Sequence, residues 1–368
     1  MILSLLFQIL ILPLQSKTLQ MEYQVTIKEI LSRVLRIESP SAKEAEERVR
    51  ELYRNEEIVL DYSDLSFFDV FTDVKEERIT PYYSSKERDF TILHGDTFEL
   101  LPQFNFHFDM IFADPPYFLS NDGISIQAGK IVSVNKGEWD RGGTPEEINE
   151  FNKRWIGLCR DKLKDDGTIW ISGTYHNIFS VANSLTELGF KILNVVTWAK
   201  TNPPPNISCR YFTYSTEFII WARKSPKRSH HFNYELMKQL NDDKQMTDVW
   251  RLPASAPWEK TCGKHPTQKP LALLTRIILA STDKNGWVLD PFAGSSTTGI
   301  AANLIGRRYL GIEREREFAD IGRKRREEIN NSRIYGDYRS KIKDIAKSEV
   351  SEPSCFACEE ELFADLPF

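Results

Sequence analysis

Strands that alternate with helices along most of the sequence predict an α/β fold on a doubly wound, largely parallel sheet. Two acidic turns reinforce this reading. Asp114-Pro115-Pro116-Tyr117 and Asp290-Pro-Phe292-Ala-Gly294-Ser-Ser296 each follow a short apolar run, where open α/β sheets keep their ligands. Composition is the third observation. With 368 residues, 41% hydrophobic and 27% charged, the chain has room for a sizeable core. Fibrous, collagen-like and wholly disordered readings are excluded.

The elements follow in order. Residues 1–14 are apolar apart from Ser4 and Gln8, lack a basic n-region, and are shorter than the roughly 18 residues of a spanning helix. Residues 1–20 are therefore expected to be a leader or upstream extension, with Met21 a workable start and no membrane partner. Ser41 and Glu44 form a capping box, and Ala45, Val49, Leu52 and Tyr53 follow at helical spacing, so 21–89 is expected to be a helical appendage. Strands are predicted over 90–94 and 108–113. Residues 118–150 are rich in Gly, Asn, Asp and Lys and read as a long functional loop holding a strand pair. A helix over 145–163, a strand over 168–172, a helix over 178–188 and a strand over 192–198 repeat one unit. Asn202-Pro-Pro-Pro-Asn206 breaks it, a strand follows over 216–222, and 225–262 reads as polar and irregular. A helix over 270–280, a strand over 287–290, a glycine-rich turn, a helix and a strand over 309–313 complete the pattern.

Charge is unevenly spread. The formal net charge is −5, yet Glu349, Glu352, Glu359, Glu360, Glu361 and Asp365 lie in a stretch without Lys or Arg. A flexible acidic tail is expected over 331–368. Residues 197–232 set Lys200, Arg210, Arg223, Lys224, Lys227 and Arg228 against a single Glu, interleaved with aromatic side chains. That mixture suits phosphate contact with base stacking. The five scattered cysteines fit a reducing, cytoplasmic setting. Cys355 and Cys358 have half-zinc-site spacing without a second pair, so no metal is expected.

The turn at 290–299 offers glycines for close backbone approach and a helix N-terminus, but no Gly-Lys-Ser/Thr, so it is not a phosphate-binding P-loop. Its leading acid suits a cationic or amino-acid-like ligand. Glu313 closes the next strand, where doubly wound folds hold a ribose diol. At 114–117, two prolines stop a sheet ladder and leave a carboxylate, a free Pro115 carbonyl and an aromatic face side by side. An exocyclic amine on a flat ring needs that set.

These two motifs together resemble the S-adenosylmethionine-dependent DNA amino methyltransferases. The catalytic motif precedes the cofactor motif, which is the permuted order of the β group, and a leading Asp suits adenine-N6 members. The segments 113–121, 132–140 and His265-Pro-Thr267-Gln268-Lys269-Pro are similar to methylases of the Dpn and Mbo restriction-modification systems. The resemblance implies a Rossmann-like methyltransferase domain over 90–330, with 118–150 facing DNA and an inserted target-recognition region over about 200–262. It assigns catalysis to Asp114, Pro115, Pro116 and Tyr117. Asp290, Phe292, Gly294 and Ser296 would line the methionine side of S-adenosylmethionine, and Glu313 would take its ribose. Asp96 and Asp114 would also line the cofactor site, and His265, Thr267, Gln268 and Lys269 would close over its carboxylate. Lys136, Arg210, Arg223, Lys224, Lys227 and Arg228 are the expected DNA contacts. The implied activity is N6 methylation of adenine in a short site, GATC first among candidates, on double- or single-stranded DNA. Pairing with a restriction endonuclease is expected, and a homodimer is left open. Cytosine-N4 methylation and a cofactor-binding DNA-binding module without catalysis are the alternatives.

Overall fold

A computed structural model describes residues 24–31, 35, 42–60, 65–73, 79–117, 124–127, 130–133, 144–203, 205–206 and 209–348. The leader, Lys136 and the Cys355/Cys358 pair lie outside the described residues. The chain divides into two units, 1–78 and 79–368.

In the first unit, β1 (Gln24–Leu31), α1 (Ala42–Arg54) and β2 (Leu65–Asp73) form a strand–helix–strand, with β1 and β2 antiparallel from Gln24 opposite Asp73. A helical appendage over 21–89 is thus corrected in two respects. Its helix is flanked by strands, since β-branched and aromatic residues dominate Gln24–Leu31 and Leu65–Asp73. Residues 79–89 belong to the second unit, where a short strand joins the main sheet.

That unit runs β3 (Tyr83–Ser84), β4 (Phe90–His94), α2 (Thr97–Leu100), β5 (Phe108–Ala113), β6 (Ile124–Gln127), β7 (Lys130–Ser133), α3 (Pro145–Asp161) and β8 (Leu163–Gly173). It continues with α4 (Ile178–Glu187), β9 (Lys191–Lys200), β10 (Thr216–Arg223), α5 (Tyr234–Leu240), β11 (Val249–Leu252) and α6 (Leu271–Ser281). It closes with β12 (Trp287–Asp290), α7 (Thr297–Leu304), β13 (Arg308–Glu313), α8 (Arg316–Glu328), α9 (Ser332–Lys341) and α10 (Lys343–Ser348). Nine strands form one sheet in the order β11-β9-β10-β8-β5-β12-β13-β4-β3. The five central strands, β8 to β4, are parallel, whereas β10 runs antiparallel to both its neighbours. β6 and β7 form the separate pair expected in the long loop.

The central strands are apolar on both faces because helices cover both. Along β5, Met110 and Phe112 join one buried cluster, while Phe108, Ile111 and Ala113 join the other. Val288 and Leu289 divide the same way. From β5 the chain passes through α3 to β8 on one side, and from β12 through α7 to β13 on the other. β5 and β12 therefore adjoin at the point where strand order reverses, the usual ligand crevice of a doubly wound sheet. Among the described residues, no helix is long and apolar enough to cross a membrane.

Two further expectations change. The segment 225–262 holds α5 and β11, whose Met237, Leu240 and Trp250 are buried. The expected flexible tail is ordered through Ser348, because Tyr338, Ile342 and Ile345 are buried in the core at helical spacing. Arg276 of α6 anchors α10 through two hydrogen bonds to Asp344, at 2.7 and 3.1 Å. Asp344→Ala leaves Arg276 largely buried without its carboxylate, and should lower stability to urea by about 3 kcal/mol. A loss below about 1 kcal/mol would show that this pair does not anchor the helix.

Candidate active site

One cavity opens at the carboxyl ends of β5 and β12, enclosing about 1120 Å³ with its open mouth included. Asp96, Asp114, Pro115, Pro116, Tyr117, His265, Thr267, Gln268, Lys269, Asp290, Phe292, Gly294 and Glu313 all line it.

The acidic half is built from β12, β13 and their turns. Asp290 ends β12, where its carboxylate accepts hydrogen bonds from the Thr298 hydroxyl at 2.5 Å and the Phe292 N–H at 3.1 Å. Glu313 ends β13 and accepts from the N–H groups of Gly294 at 2.6 Å and Glu315 at 2.7 Å. Burial pushes both carboxyls up to about 7 against these hydrogen bonds. Gly294 has φ +52°, and a Cβ there would stand 3.1 Å from the His265 ring, so the turn needs glycine for conformation and for space. His265 is fixed from its other side by an edge contact to Phe318, ring centroids 4.3 Å apart. Asp96 caps α2 by accepting from the Phe98 N–H, and the Thr97 hydroxyl donates to the Pro291 carbonyl, which ties two cavity walls together.

Ser296 departs from expectation. It is fully buried against Gly322 of α8, in the left-handed region at φ 55°, and faces away from the cavity. Its neighbour Ser295 lines the cavity instead. Alternation along the turn was not legible because the turn is neither strand nor helix. Arg325 of α8, itself buried, donates to the Ser295 carbonyl at 2.8 Å and the Thr297 hydroxyl at 2.7 Å. This clamp holds the turn from behind.

The other half centres on Asp114. Its Oδ1 accepts hydrogen bonds from the Tyr117 hydroxyl at 2.5 Å and from the Ser172 hydroxyl, and Oδ2 accepts from the Lys269 ammonium at 2.5 Å. Lys269 also donates to the Tyr117 oxygen at 3.0 Å. Burial alone would raise the Asp114 pKa, but the Lys269 charge and these hydrogen bonds outweigh it and hold the carboxyl below the usual range. Burial and then the Asp114 charge push the Tyr117 phenol well above its usual value. Desolvation opposes the Lys269 charge, yet Asp114, Tyr117 and Glu217 together raise its pKa well above the usual one.

Lys269 lines the cavity, and its ammonium is the counterion of Asp114. Gln268 braces the loop, donating to the Glu259 carbonyl at 2.9 Å and accepting from Ser295 at 3.4 Å. Thr267 stands 3.5 Å from the His265 ring nitrogen. Three contributors were missed. Ser172 closes β8, and Glu217 and Lys200 form a 2.6 Å pair beside Lys269. Glu217 is the lone acid of the basic segment, and that isolation was the available signal.

The basic segment itself divides. β10 runs away from the site: Phe218 lies opposite Gly173 at the end of β8, and Arg223 lies opposite Thr168, midway along it. Lys224 donates to the Leu163 carbonyl at 2.7 Å, Arg228 pairs with Asp165 at 2.7 Å, and Arg223 donates to the Pro226 carbonyl. Arg223, Lys224, Lys227 and Arg228 thus stand at the opposite edge of the sheet, because eight strand residues carry the chain about 25 Å. Arg210 remains on the site side, in the β9–β10 loop with exposed Tyr211, Tyr214 and Phe212, the last 96% exposed. Tyr214 stacks on Tyr175, just beyond β8, at 5.2 Å and 16°.

A parallel sheet with an acid-lined crevice beside an amine-accepting Asp-Pro-Pro-Tyr turn defines a group-transfer enzyme of the methyltransferase class. Residues 108–324 match the DNA methylase family, and the chain belongs to it. It is 57% identical over 267 residues to the Type II methyltransferase M2.MboI of Moraxella bovis, covering 72% of this chain and 97% of that protein. It is 55% identical over 254 residues to M2.DpnII of Streptococcus pneumoniae, covering 68% and 94%. The crystal structure of an M1.HpyAVI–SAM complex matches 64% of this chain and 98% of that one, with 32% identity and a TM-score of 0.50. Residues 23–69 match a DpnD/PcfM-like protein.

The two raised carboxyls predict proton linkage. Burial raises both to about 7, and a cation seated beside Asp290 would favour its ionised form. Binding of S-adenosylmethionine near pH 7 should therefore release protons and weaken as pH falls below about 7. Calorimetric titration in two buffers of different ionisation enthalpy reads this release directly. Proton-neutral binding would place the cofactor's charges away from Asp290 and Glu313.

Proposed function

We propose that the chain methylates N6 of adenine in a short DNA sequence, using S-adenosylmethionine, as the modifying partner of a restriction endonuclease in the cytoplasm. The observation that carries this reading is the juxtaposition at adjoining strand ends of the Asp114 acceptor set and the acid-lined turn after β12. The residues present suit the cofactor. Asp290 and Glu313 are buried carboxylic acceptors lining the cavity, and the cofactor brings an ammonium, a sulfonium and ribose hydroxyls that such acceptors suit. Asp290 would take the methionine end, Glu313 the ribose hydroxyls, and Asp96 the adenine side. When bound, S-adenosylmethionine supplies an electrophilic methyl group.

This chain's residues would do the rest. An aromatic amine is a poor nucleophile while its lone pair is delocalised into the ring. Asp114 and the Pro115 carbonyl accept its two N–H groups and favour the pyramidal form, and Pro115-Pro116 hold that pair rigidly. Tyr117 lines the cavity where a flipped base would lie. Among the described residues no cysteine lines the cavity, and burial pushes the Cys159 thiol above the usual range. The adenine assignment rests on Asp as the leading residue of the motif. GATC is the first sequence to test, on the likeness of 113–121 and 132–140 to the Dpn and Mbo methylases.

Digestion of methylated DNA to nucleosides should give N6-methyl-2′-deoxyadenosine, and N4-methyl-2′-deoxycytidine would overturn the base assignment. Asp114→Asn removes the charged acceptor but keeps its shape, and should slow single-turnover transfer about 100-fold, or about 3 kcal/mol, with cofactor binding retained. Near wild-type transfer in this variant would remove Asp114 from the chemistry.

Arg210 and its exposed aromatic neighbours Tyr211, Phe212 and Tyr214, on the site side of the sheet, support a DNA-facing surface there. Arg210→Ala should lower the slope of log K against log salt by about 0.9, the share of one phosphate contact. The paired change Lys227→Ala with Arg228→Ala should leave the slope unaltered. The reverse pattern would return the interface to the far edge of the sheet.

A further inference from the structure

Lys269 faces two carboxylates. Its ammonium donates to Asp114 Oδ2 at 2.5 Å and stands 3.7 Å from Glu217 Oε2. Lys200 holds the other Glu217 oxygen at 2.6 Å and so fixes the carboxylate's orientation. Glu217 Oε2 itself is buried and has no hydrogen-bond partner among the described residues. A buried acceptor aimed at an ammonium it does not quite reach is an unmet demand. Four elements converge to make it, because Asp114 follows β5, Lys200 ends β9, Glu217 lies near the start of β10, and Lys269 precedes α6.

The resting contact works against transfer. Oδ1 of Asp114 already accepts two hydroxyls, from Ser172 and Tyr117. An incoming amine must therefore share Oδ2 with the Lys269 ammonium, which neutralises that oxygen's charge and weakens it as an acceptor. An ammonium at that spot also opposes the positive charge that the amine nitrogen gains as it is alkylated. Moving Lys269 to another seat would relieve both effects, and its flexible four-carbon stem can supply the movement.

Resting on the reading of Asp114 as the amine's acceptor, we propose that Glu217 is a positioning residue for methyl transfer. It is the second seat of the Lys269 ammonium and draws it from Asp114 Oδ2 when the target amine binds. The shift is about 1 Å, the difference between 3.7 Å and an ordinary charge-assisted hydrogen bond. The ammonium keeps its three protons throughout, and the combined charge of Asp114, Lys269 and Glu217 does not change. No covalent bond forms or breaks in this movement.

The test is a double-mutant cycle read by single-turnover transfer at saturating S-adenosylmethionine and DNA. Glu217→Gln, which keeps size and loses charge, should slow transfer at least about 10-fold while both equilibrium affinities stay within about 2-fold. In a Lys269→Met background no ammonium needs a seat, so adding Glu217→Gln should change the rate by less than about 2-fold. A wild-type rate in Glu217→Gln, or equal slowing in both backgrounds, overturns the proposal. If Lys269→Met does not fold, Glu217→Asp takes its place: with the charge kept, transfer should recover part of the loss, and a rate as low as that of Glu217→Gln overturns the proposal. Wild-type protein that transfers no methyl group to DNA would sink the activity itself, whereas wild-type transfer with a silent Glu217→Gln sinks only the role of Glu217.

Discussion

The ion pair between Lys269 and Asp114 is the contact on which the catalytic half of the molecule depends. A carboxylate at the end of a central strand, beside two prolines, loses most of its water when the sheet closes around it. Left alone, it would take a proton or cost several kcal/mol as a buried charge. The ammonium and the hydroxyls of Ser172 and Tyr117 offset that cost and keep it ionised. They also bind β5, β8 and the loop before α6 to one another at the mouth of the crevice. The same group therefore ties the fold together at the mouth of the cavity.

The acidic half of the cavity solves the same problem differently. Asp290 and Glu313 receive backbone and hydroxyl hydrogen bonds, and among the described residues neither forms an ion pair, so burial raises both pKa values. The pairing of β5 with β12, through Met110 opposite Val288 and Ile111 opposite Leu289, brings these carboxyls beside Asp114. The crevice thus offers two unlike environments within one opening, one of carboxyls held by neutral donors and one of a carboxylate paired with an ammonium.

Much of this was readable in the sequence because the central strands are short apolar runs ending in chemically unusual turns. Asp114 to Tyr117 and Asp290 to Gly294 announce themselves by residue type, and Glu313 by its place at the next strand end. Ser172 and Glu217 do not, because their roles come from β8 lying next to β5 and β10 next to β8, and lateral strand order leaves no local trace. The pairing of Lys269 with Asp114 was not legible for a related reason: its motif travels as a unit, yet its ammonium turns to Asp114 while His265 packs by Gly294. Which end of β10 carries the basic residues was not legible either, because charge density along a sequence does not give it. In the C-terminal helices, Gly336 and many charged residues mask Tyr338, Ile342 and Ile345, whose burial depends on a partner surface.

The strand order also bears on how the protein is made. β12 lies between β5 and β13 in the sheet, yet it is synthesised long after β5. During translation, the apolar strand Phe108–Ala113 can gain β8 on one side while its other edge stays open. At ordinary elongation rates of about 5–20 residues per second, that edge waits roughly 10–35 seconds for its partner to leave the ribosome. An open apolar edge is a template for unwanted pairing with other chains. The arrangement that sets the two motifs side by side in the finished enzyme thereby makes the nascent chain a client for chaperones, and ties its yield to the speed at which the last third of the message is read.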